Sequence, residues 1–365
     1  MTDRSEDIAC ENDDVAQLRK QLEELRDHGV QWLLDRIGPT GEPATAKQHN
    51  GYYRLPWTLA VAGERGAAAA VLSWIEREVL TDDGDLRPGA PRESWTHLAA
   101  TYPLSIIAHG AWTLEHYDTS LAVWDTLRRL QDPVTGGAYW ERPEVREKGW
   151  QLLFPTAQLG LTALHTGQTD VADAVFGWFT ALLAAQPDLP ARFYVGWGPD
   201  GLVTEIPPGN AYNLLVDFSQ PRQAFHNPGI GAAFLARYAT RTRHHEAGRM
   251  ARDLLRLHEG ATSEQYRFQE STGICKLGFG AAMMLDLAPD RDLVATLARM
   301  TTWYRESQSP EGSWAPRTFL RPDPQECHVI EKTAEHVLWV SMMLTSLASY
   351  ESGLRGAAQR RGADQ

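Results

Sequence analysis

An all-α toroid, an (α/α)6 barrel of about twelve helices, is the fold this 365-residue sequence predicts, on three observations. A short apolar helix, a turn, an amphipathic helix and a Gly-containing loop recur five times, first as LAVAGERGAAAAVLSWIEREVLTDDGD (59–85). IIAHGAWTLEHYDTSLAVWDTLRRLQDPVTGGAYW (106–140) and TALHTGQTDVADAVFGWFTALLAAQPD (162–188) repeat it, and weaker copies turn near Thr240 and Pro289. The helices also alternate between two chemical kinds. Finally, the loops at one end are tight (Gly63, Gly110, Gly167), while those at the other are long and rich in aromatics and Gly.

Taken in order, a first helix is predicted over Val15–Ile37, with Asp13 and Asp14 as caps. Further helices are expected near 51–63, 65–80, 96–110, 118–131, 150–166, 169–185, 226–239, 243–259, 274–287, 290–307 and 329–350. One kind carries a stripe at spacings of three and four, such as Ala68, Val71, Leu72, Ile75 and Val79. Val171, Val175, Trp178, Phe179 and Leu182 form another stripe; Ala247, Met250, Ala251, Leu254 and His258 form a third. Such helices have one buried and one wet face. The other kind (QLLFPTAQLGLTAL, PGIGAAFLA, CKLGFGAAMML, HVLWVSMMLTSLA) has no polar face and must be covered on every side. An inner apolar ring wrapped by an outer amphipathic ring satisfies both, and better than an open solenoid, in which both helices keep a wet edge. The expected organisation is an acidic, unstructured lead-in (1–13), one toroid domain (14–351) and a polar tail (352–365). The longest loop, about 186–225, carries Phe193, Tyr194, Trp197, Tyr212 and Phe218 and has the length of a lid or binding loop. The functional mouth is therefore expected on the long-loop face, at the starts of the inner helices.

A net charge of −12 argues against a nucleic-acid partner, since phosphate binding needs clustered Lys and Arg. No stretch approaches the ~20 apolar residues of a membrane span, and the acidic N-terminus lacks the apolar core of an export signal. Three cysteines (Cys10, Cys275, Cys327) suit a reducing compartment. The expectation is a cytoplasmic protein acting on a small molecule, with no membrane or nucleic-acid partner and a homodimer left open.

DPVTGGAYW (132–140) followed by EKGWQLLFPTAQLGLTALHTGQTDVADA (147–174) resembles the N-acylglucosamine 2-epimerase superfamily. FHNPGIGAAFLARYATRTRHHEAGRMARDLLRL (225–257) looks like that family's eighth and ninth helices, and GYYRLPWTLAVAG (51–63) is similar to the helix bearing its substrate-binding arginine. The resemblance is patchy, spans roughly 50–310, and holds at the level of the toroid. Terpenoid cyclases, prenyltransferase β-subunits and uronyl hydrolases share the rhythm. It implies that His226 and either His328 or His336 act as acid and base, and that Arg54 binds substrate. One departure is explicit: Gly229 stands where the family carries the Glu of His-x-x-Glu.

The sharpest local pattern is CHVIEKTAEH (327–336), in which His328, Glu331 and Glu335 fall at i, i+3 and i+7 on one helix face. A His beside a carboxylate is a usable acid/base pair, whereas the plain alternative is a polar helix entrance. His226, His328 and Glu331 are the catalytic candidates. Tyr53, Arg54, Trp57, His97, Tyr102, Trp140, Trp150, Tyr194 and His336 are the substrate-binding candidates, most of them at inner-helix entrances where aromatic faces suit sugars or flat substrates. Cys275, Cys327, His328 and His336 could be assembled into a zinc site, but the spacing fits no metal motif, so neither metal nor cofactor is expected. DDxxD and DxDD are both absent, against terpenoid cyclisation. No Gly-rich phosphate loop, dinucleotide fingerprint or Ser nucleophile elbow occurs either. Cofactor-independent isomerisation or epimerisation of a small polar or carbohydrate-like molecule is the leading expectation. A cyclase, lyase or prenyltransferase-like enzyme with an aromatic cavity is second, and a non-catalytic helical scaffold third.

Overall fold

The computed structural model describes residues 4–46, 51–88, 99–146, 148–260, 273–316, 318 and 321–363. Its helices, in chain order, are α1 (Arg4–Leu34), α2 (Leu55–Val61), α3 (Arg65–Glu78), α4 (Thr101–Thr113), α5 (Tyr117–Leu130), α6 (Leu153–Thr166) and α7 (Thr169–Ala184). They continue with the short α8 (Ala211–Leu214), then α9 (His226–Thr242), α10 (His245–Arg256), α11 (Cys275–Leu287), α12 (Arg291–Ser307) and α13 (Glu326–Ala363). The first helix begins at Arg4, taking in most of the segment expected to lead in unstructured, and the last runs on through Ala363 into the expected tail.

The apolar helices form the inner ring. α2 packs on α4, α4 on α6, α6 on α9, α9 on α11, α11 on α13, and α13 returns to α2. Thr58 clasps the closing seam, its hydroxyl donating to the carbonyl of Ala334 at 2.9 Å. Each inner helix has an amphipathic partner outside it: α3 on α2, α5 on α4, α7 on α6, α10 on α9, α12 on α11, and α1 on α13. This is an (α/α)6 barrel, as the two helix chemistries require. In α4 every residue from Thr101 to Ala111 is buried, and in α11 every residue from Cys275 to Leu285. In α10 only Ala247, Ala251 and Leu254 are buried, a single stripe. Each fully buried Leu or Val on these faces contributes on the order of 1.5–3 kcal/mol, which is ample to fix which face turns inward.

At the tight end, α6 stops at Gly167, whose φ of 79° is the left-handed cap that ends a helix cleanly. Gly110 is not a turn. It lies inside α4, where a Cβ would come within 3.0 Å of the Trp57 backbone, so its role is to let α2 and α4 approach.

The long loop after α7 has structure of its own. β1 (Gln151–Leu152), β3 (Gly196–Gly198) and β4 (Gly201–Leu202) form an antiparallel sheet in the order β1-β3-β4, with Gln151 opposite Trp197 and Trp197 opposite Leu202. β2 (Arg192–Tyr194) pairs antiparallel with β5 (Leu215–Asp217), Phe193 facing Val216. The loop's buried aromatics Phe193 and Phe218 thus belong to the core, and the segment around Gly209–Asn213 is what reaches the cavity mouth.

Candidate functional site

A cavity of about 420 Å³ opens where the inner helices begin. Each of the six supplies a residue from its first turns or from just before it: Arg54 ahead of α2, Tyr102 in α4, Phe154 in α6, His226 in α9, Lys276 in α11, and Glu331, Lys332 and Glu335 in α13. Tyr53, Trp140, Tyr212, Asn213, Asn227 and Arg321 complete most of the wall. Trp140 is placed by its neighbours. Its N–H donates to the Trp150 carbonyl at 2.7 Å, and two residues on, Arg142 grips Asp85 through two hydrogen bonds of 2.7 and 2.8 Å.

The floor is charged. Glu335 accepts from Lys276 Nζ at 2.7 Å on one carboxylate oxygen and from Lys332 Nζ at 2.5 Å on the other, and Arg54 lies 3.7 Å away. Burial alone would raise the Glu335 carboxyl, but Lys276, Lys332 and Arg54 outweigh it and hold it well below the usual carboxylate range. Burial would likewise lower both ammonium groups, yet Glu335 holds each above the ordinary lysine value, so they stay protonated. A second pair sits beside the first. The Tyr53 hydroxyl donates to Glu331 at 2.9 Å, Arg321 approaches the other Glu331 oxygen at 3.6 Å, and Arg54 donates to the Tyr102 hydroxyl at 3.1 Å. Burial raises the Tyr53 phenol well above its ordinary value, only partly opposed by Arg54.

His226 faces this floor from α9. Its ring meets Phe154 edge-on with centroids 5.3 Å apart and lies 6.4 Å from the Tyr212 ring. Burial first, and the positive charge of Lys276 second, push its imidazole well below the ordinary value, so it is neutral at physiological pH. The departure at Gly229 has its reason here: a Cβ at that position would lie 2.3 Å from the Lys276 carbonyl oxygen. The small residue lets α11 close on α9, and Lys276 occupies the polar floor where a side chain from position 229 has no room.

Of the residues singled out from sequence, Tyr53, Arg54, Tyr102, Trp140, His226 and Glu331 meet in this one cavity. His328 does not join them. It sits at the entrance of α13, its Nδ1 accepting from the backbone N–H of Gln325 at 3.2 Å, so a two-histidine pair is not assembled. His336, about two turns deeper, is buried against the rings of Trp303, Tyr304 and Trp314, with centroids 5.2–5.4 Å apart. Trp57 lies at the opposite end of the barrel, stacked on His109 at 3.9 Å. The Tyr194 hydroxyl donates to Asp188 at 3.2 Å, and Trp150 supports Trp140 from outside the lining. His97 falls outside the described residues. Spacing along the sequence does not single out Lys276 or Lys332, and it marks Glu335 only as a helix-face neighbour of Glu331. The available signal was a lysine as the second residue of CKLGFGAAMML, since a charge in an otherwise apolar inner helix must be buried and partnered.

Among the described residues, Cys275, Glu335 and His336 are the group whose donor atoms lie close enough, within 4.8 Å, to share a metal ion. Their chemistry fits a dication poorly. Both Glu335 oxygens are taken by ammonium groups, burial pushes the Cys275 thiol up to about 11, and an ion there would sit beside three cationic side chains. Among the described residues no helix is long and apolar enough to cross a membrane.

Neither a protein-family model nor a characterised protein matches the sequence. Solved structures do match the fold. A family 76 glycoside hydrolase (mannosidase) from Bacteroides thetaiotaomicron superposes with a TM-score of 0.59 at 11% identity, over 91% of this chain and 99% of that one. An unsaturated glucuronyl hydrolase specific for heparin gives 0.58 at 8% identity, over 91% and 98%. A type II terpene cyclase from Scytonema, in complex with its product merosterolic acid A, gives 0.56 at 13% identity, over 91% and 99%. At these identities the similarity establishes the (α/α)6 toroid, a fold that hosts several chemistries.

Proposed function

We propose that the protein is an enzyme of the isomerase or epimerase type, moving protons to and from a small polar or carbohydrate-like molecule without a cofactor. One observation carries this reading: a neutral imidazole, His226, and a protonated phenol backed by a carboxylate, Tyr53 with Glu331, line the same cavity from opposite sides of the ring. In the order α2, α4, α6, α9, α11, α13, the helix that follows Tyr53 and the helix that begins at His226 are three places apart. That is where a base and an acid must stand to work on two faces of one substrate. His226 accepts a proton from a carbon next to a carbonyl, and Lys276 and Arg54 stabilise the charge that builds on the carbonyl oxygen. Tyr53 returns a proton and Glu331 holds its hydroxyl in line. Trp140, Phe154 and Tyr212 offer ring faces to the body of the substrate, and a cavity of about 420 Å³ accommodates a molecule of monosaccharide size.

Two rival chemistries fit the side chains less well. Glycoside hydrolysis needs one carboxyl that keeps its proton and a second carboxylate free to act on the sugar or a water, but both oxygens of Glu335 are engaged by lysines, which leaves Glu331 as the other carboxyl of the lining. Carbocation cyclisation would develop positive charge above a floor that is already cationic.

The test is isotope exchange. Incubated in D2O with a panel of aldoses, ketoses and uronates, the protein should incorporate deuterium at carbon next to the carbonyl of its substrate, followed by NMR. His226→Gln should cut that rate by about 10²–10⁴-fold. No exchange with any member of the panel, or an unimpaired His226→Gln variant, sinks the proposal.

A further inference from the structure

The cavity floor holds more positive than negative charge. Arg54, Lys276 and Lys332 face Glu331 and Glu335, and Arg321 adds a further cation at the rim. Arg54 is 2% exposed and Lys276 6%, so water screens neither well. Glu331 and Glu335 match these two in number, so the excess rests on Lys332 and Arg321, whose side chains are 21% and 28% exposed and within reach of a ligand. The donors are also not exhausted. An ammonium has three N–H groups, and Glu335 takes one from each lysine. The Arg54 Nε–H, fully enclosed, meets no protein acceptor.

The backbone adds to the same field. α4, α6, α9 and α11 all begin at this cavity, and none has a side chain capping its N-terminus. The positive ends of four helix dipoles therefore converge where the cations already are. Above this floor the walls are aromatic: Tyr102, Trp140, Phe154 and Tyr212.

We infer that the cavity takes its substrate by an anionic group, a carboxylate or a phosphate ester, seated on Lys276, Lys332 and Arg54, with the rest of the molecule against the aromatic walls. This deepens the proton-transfer reading of the same site, and the cation excess is the observation that sets it apart. A bound anion completes the charge balance of the floor, and it occupies the lysine donors that Glu335 leaves over. A cationic ligand of the same size is repelled, and a neutral one gains the walls alone.

Four one-ring probes of similar size separate the outcomes: benzoate, phenyl phosphate, benzyl alcohol and benzylamine, titrated by calorimetry and by ligand-observed NMR at low ionic strength. At least one of the two anions should bind tenfold or more tighter than benzyl alcohol, and benzylamine should not bind. Which anion wins distinguishes carboxylate from phosphate. Lys332→Met, at the more exposed of the two lysines, should weaken the preferred anion about tenfold and leave benzyl alcohol unchanged. Lys332→Arg, which keeps the charge, should restore most of the loss. Equal binding of anion and alcohol, or anion binding indifferent to Lys332→Met, overturns the inference. His226→Gln keeps the two readings apart, because it should abolish proton exchange while retaining the anion preference. In the parent protein, an anion preference without any exchange sinks the proton-transfer reading alone, and exchange without the preference sinks the anion inference alone.

Discussion

The two ends of this barrel are built from the same six inner helices and have opposite characters. Where those helices begin, ionised side chains surround an open cavity of about 420 Å³. Toward their other ends the interior shrinks to about 60 Å³, lined by Trp57, His109, His165, Arg237, Arg241, Phe279 and Met283, among others. There Trp57 stacks on His109, and His109 on His165 within 2° of parallel, both at 3.9 Å, while Phe279 stacks on Trp339 at 4.2 Å. The rings act as a plug. A toroid needs one end filled to be stable and the other unfilled to bind, so the packing cost of the open end is offset at the closed one.

The comparison can be broken most sharply at the floor of the open end. Glu335→Ala leaves Lys276 and Lys332 buried without their carboxylate and should cost about 3–5 kcal/mol of unfolding free energy. Denaturant titration would read this as a lowered midpoint at unchanged slope. A variant as stable as the parent would mean that the floor is hydrated and the charge cluster adds little to the fold.

At the closed end the expected loss comes from packing alone. Trp57→Ala removes one leaf of the stack and should cost about 3–5 kcal/mol, and it should admit a small apolar probe such as xenon into the space created. A midpoint that hardly moves would show that the plug is loosely packed.

The smallest effect is one of acidity. Burial, and then Arg237 and Arg241, lower His165 to about 4, and burial, followed by His165 and Arg237, lowers His109 well below its ordinary value. In the unfolded chain each titrates near 6.5, so between that pH and about 4 the unfolded state binds more protons than the folded one. Stability should therefore be full above about pH 6.5 and fall as the pH drops toward 4, by at most about 3 kcal/mol for His165. His165→Asn should flatten that slope in midpoints measured from pH 7.5 to 4. The residual slope belongs to His109, His226, His258 and His336, whose values are also depressed. An unchanged slope would mean that His165 is solvated.

The alternation of helix chemistry was enough to read the barrel. A helix such as CKLGFGAAMML has no wet face, and the geometry that covers six such helices on all sides is a ring inside a ring. The contrast between tight loops at one end and long aromatic loops at the other points to a mouth at the inner-helix entrances, and Tyr53, Arg54, Tyr102, Trp140, His226 and Glu331 are found there. These are properties of spacing along one chain segment, and a sequence records spacing directly.

Which charges meet is a different kind of fact. Lys276 and Glu335 are 59 residues apart, and Tyr53 and Glu331 278. Their pairing depends on Gly229 letting α11 close on α9, and on Thr58 drawing α13 against α2. It also depends on the turn of each helix about its own axis. His328 and Glu331 share a helix face by spacing, yet His328 lies at the helix entrance, outside the cavity that Glu331 lines. The chain by itself thus determined the toroid and the end at which it opens. The partners of Glu335, the neutrality of His226 and the cationic floor were decided only when helices distant in sequence closed the ring, because electrostatic energy depends on distance in space.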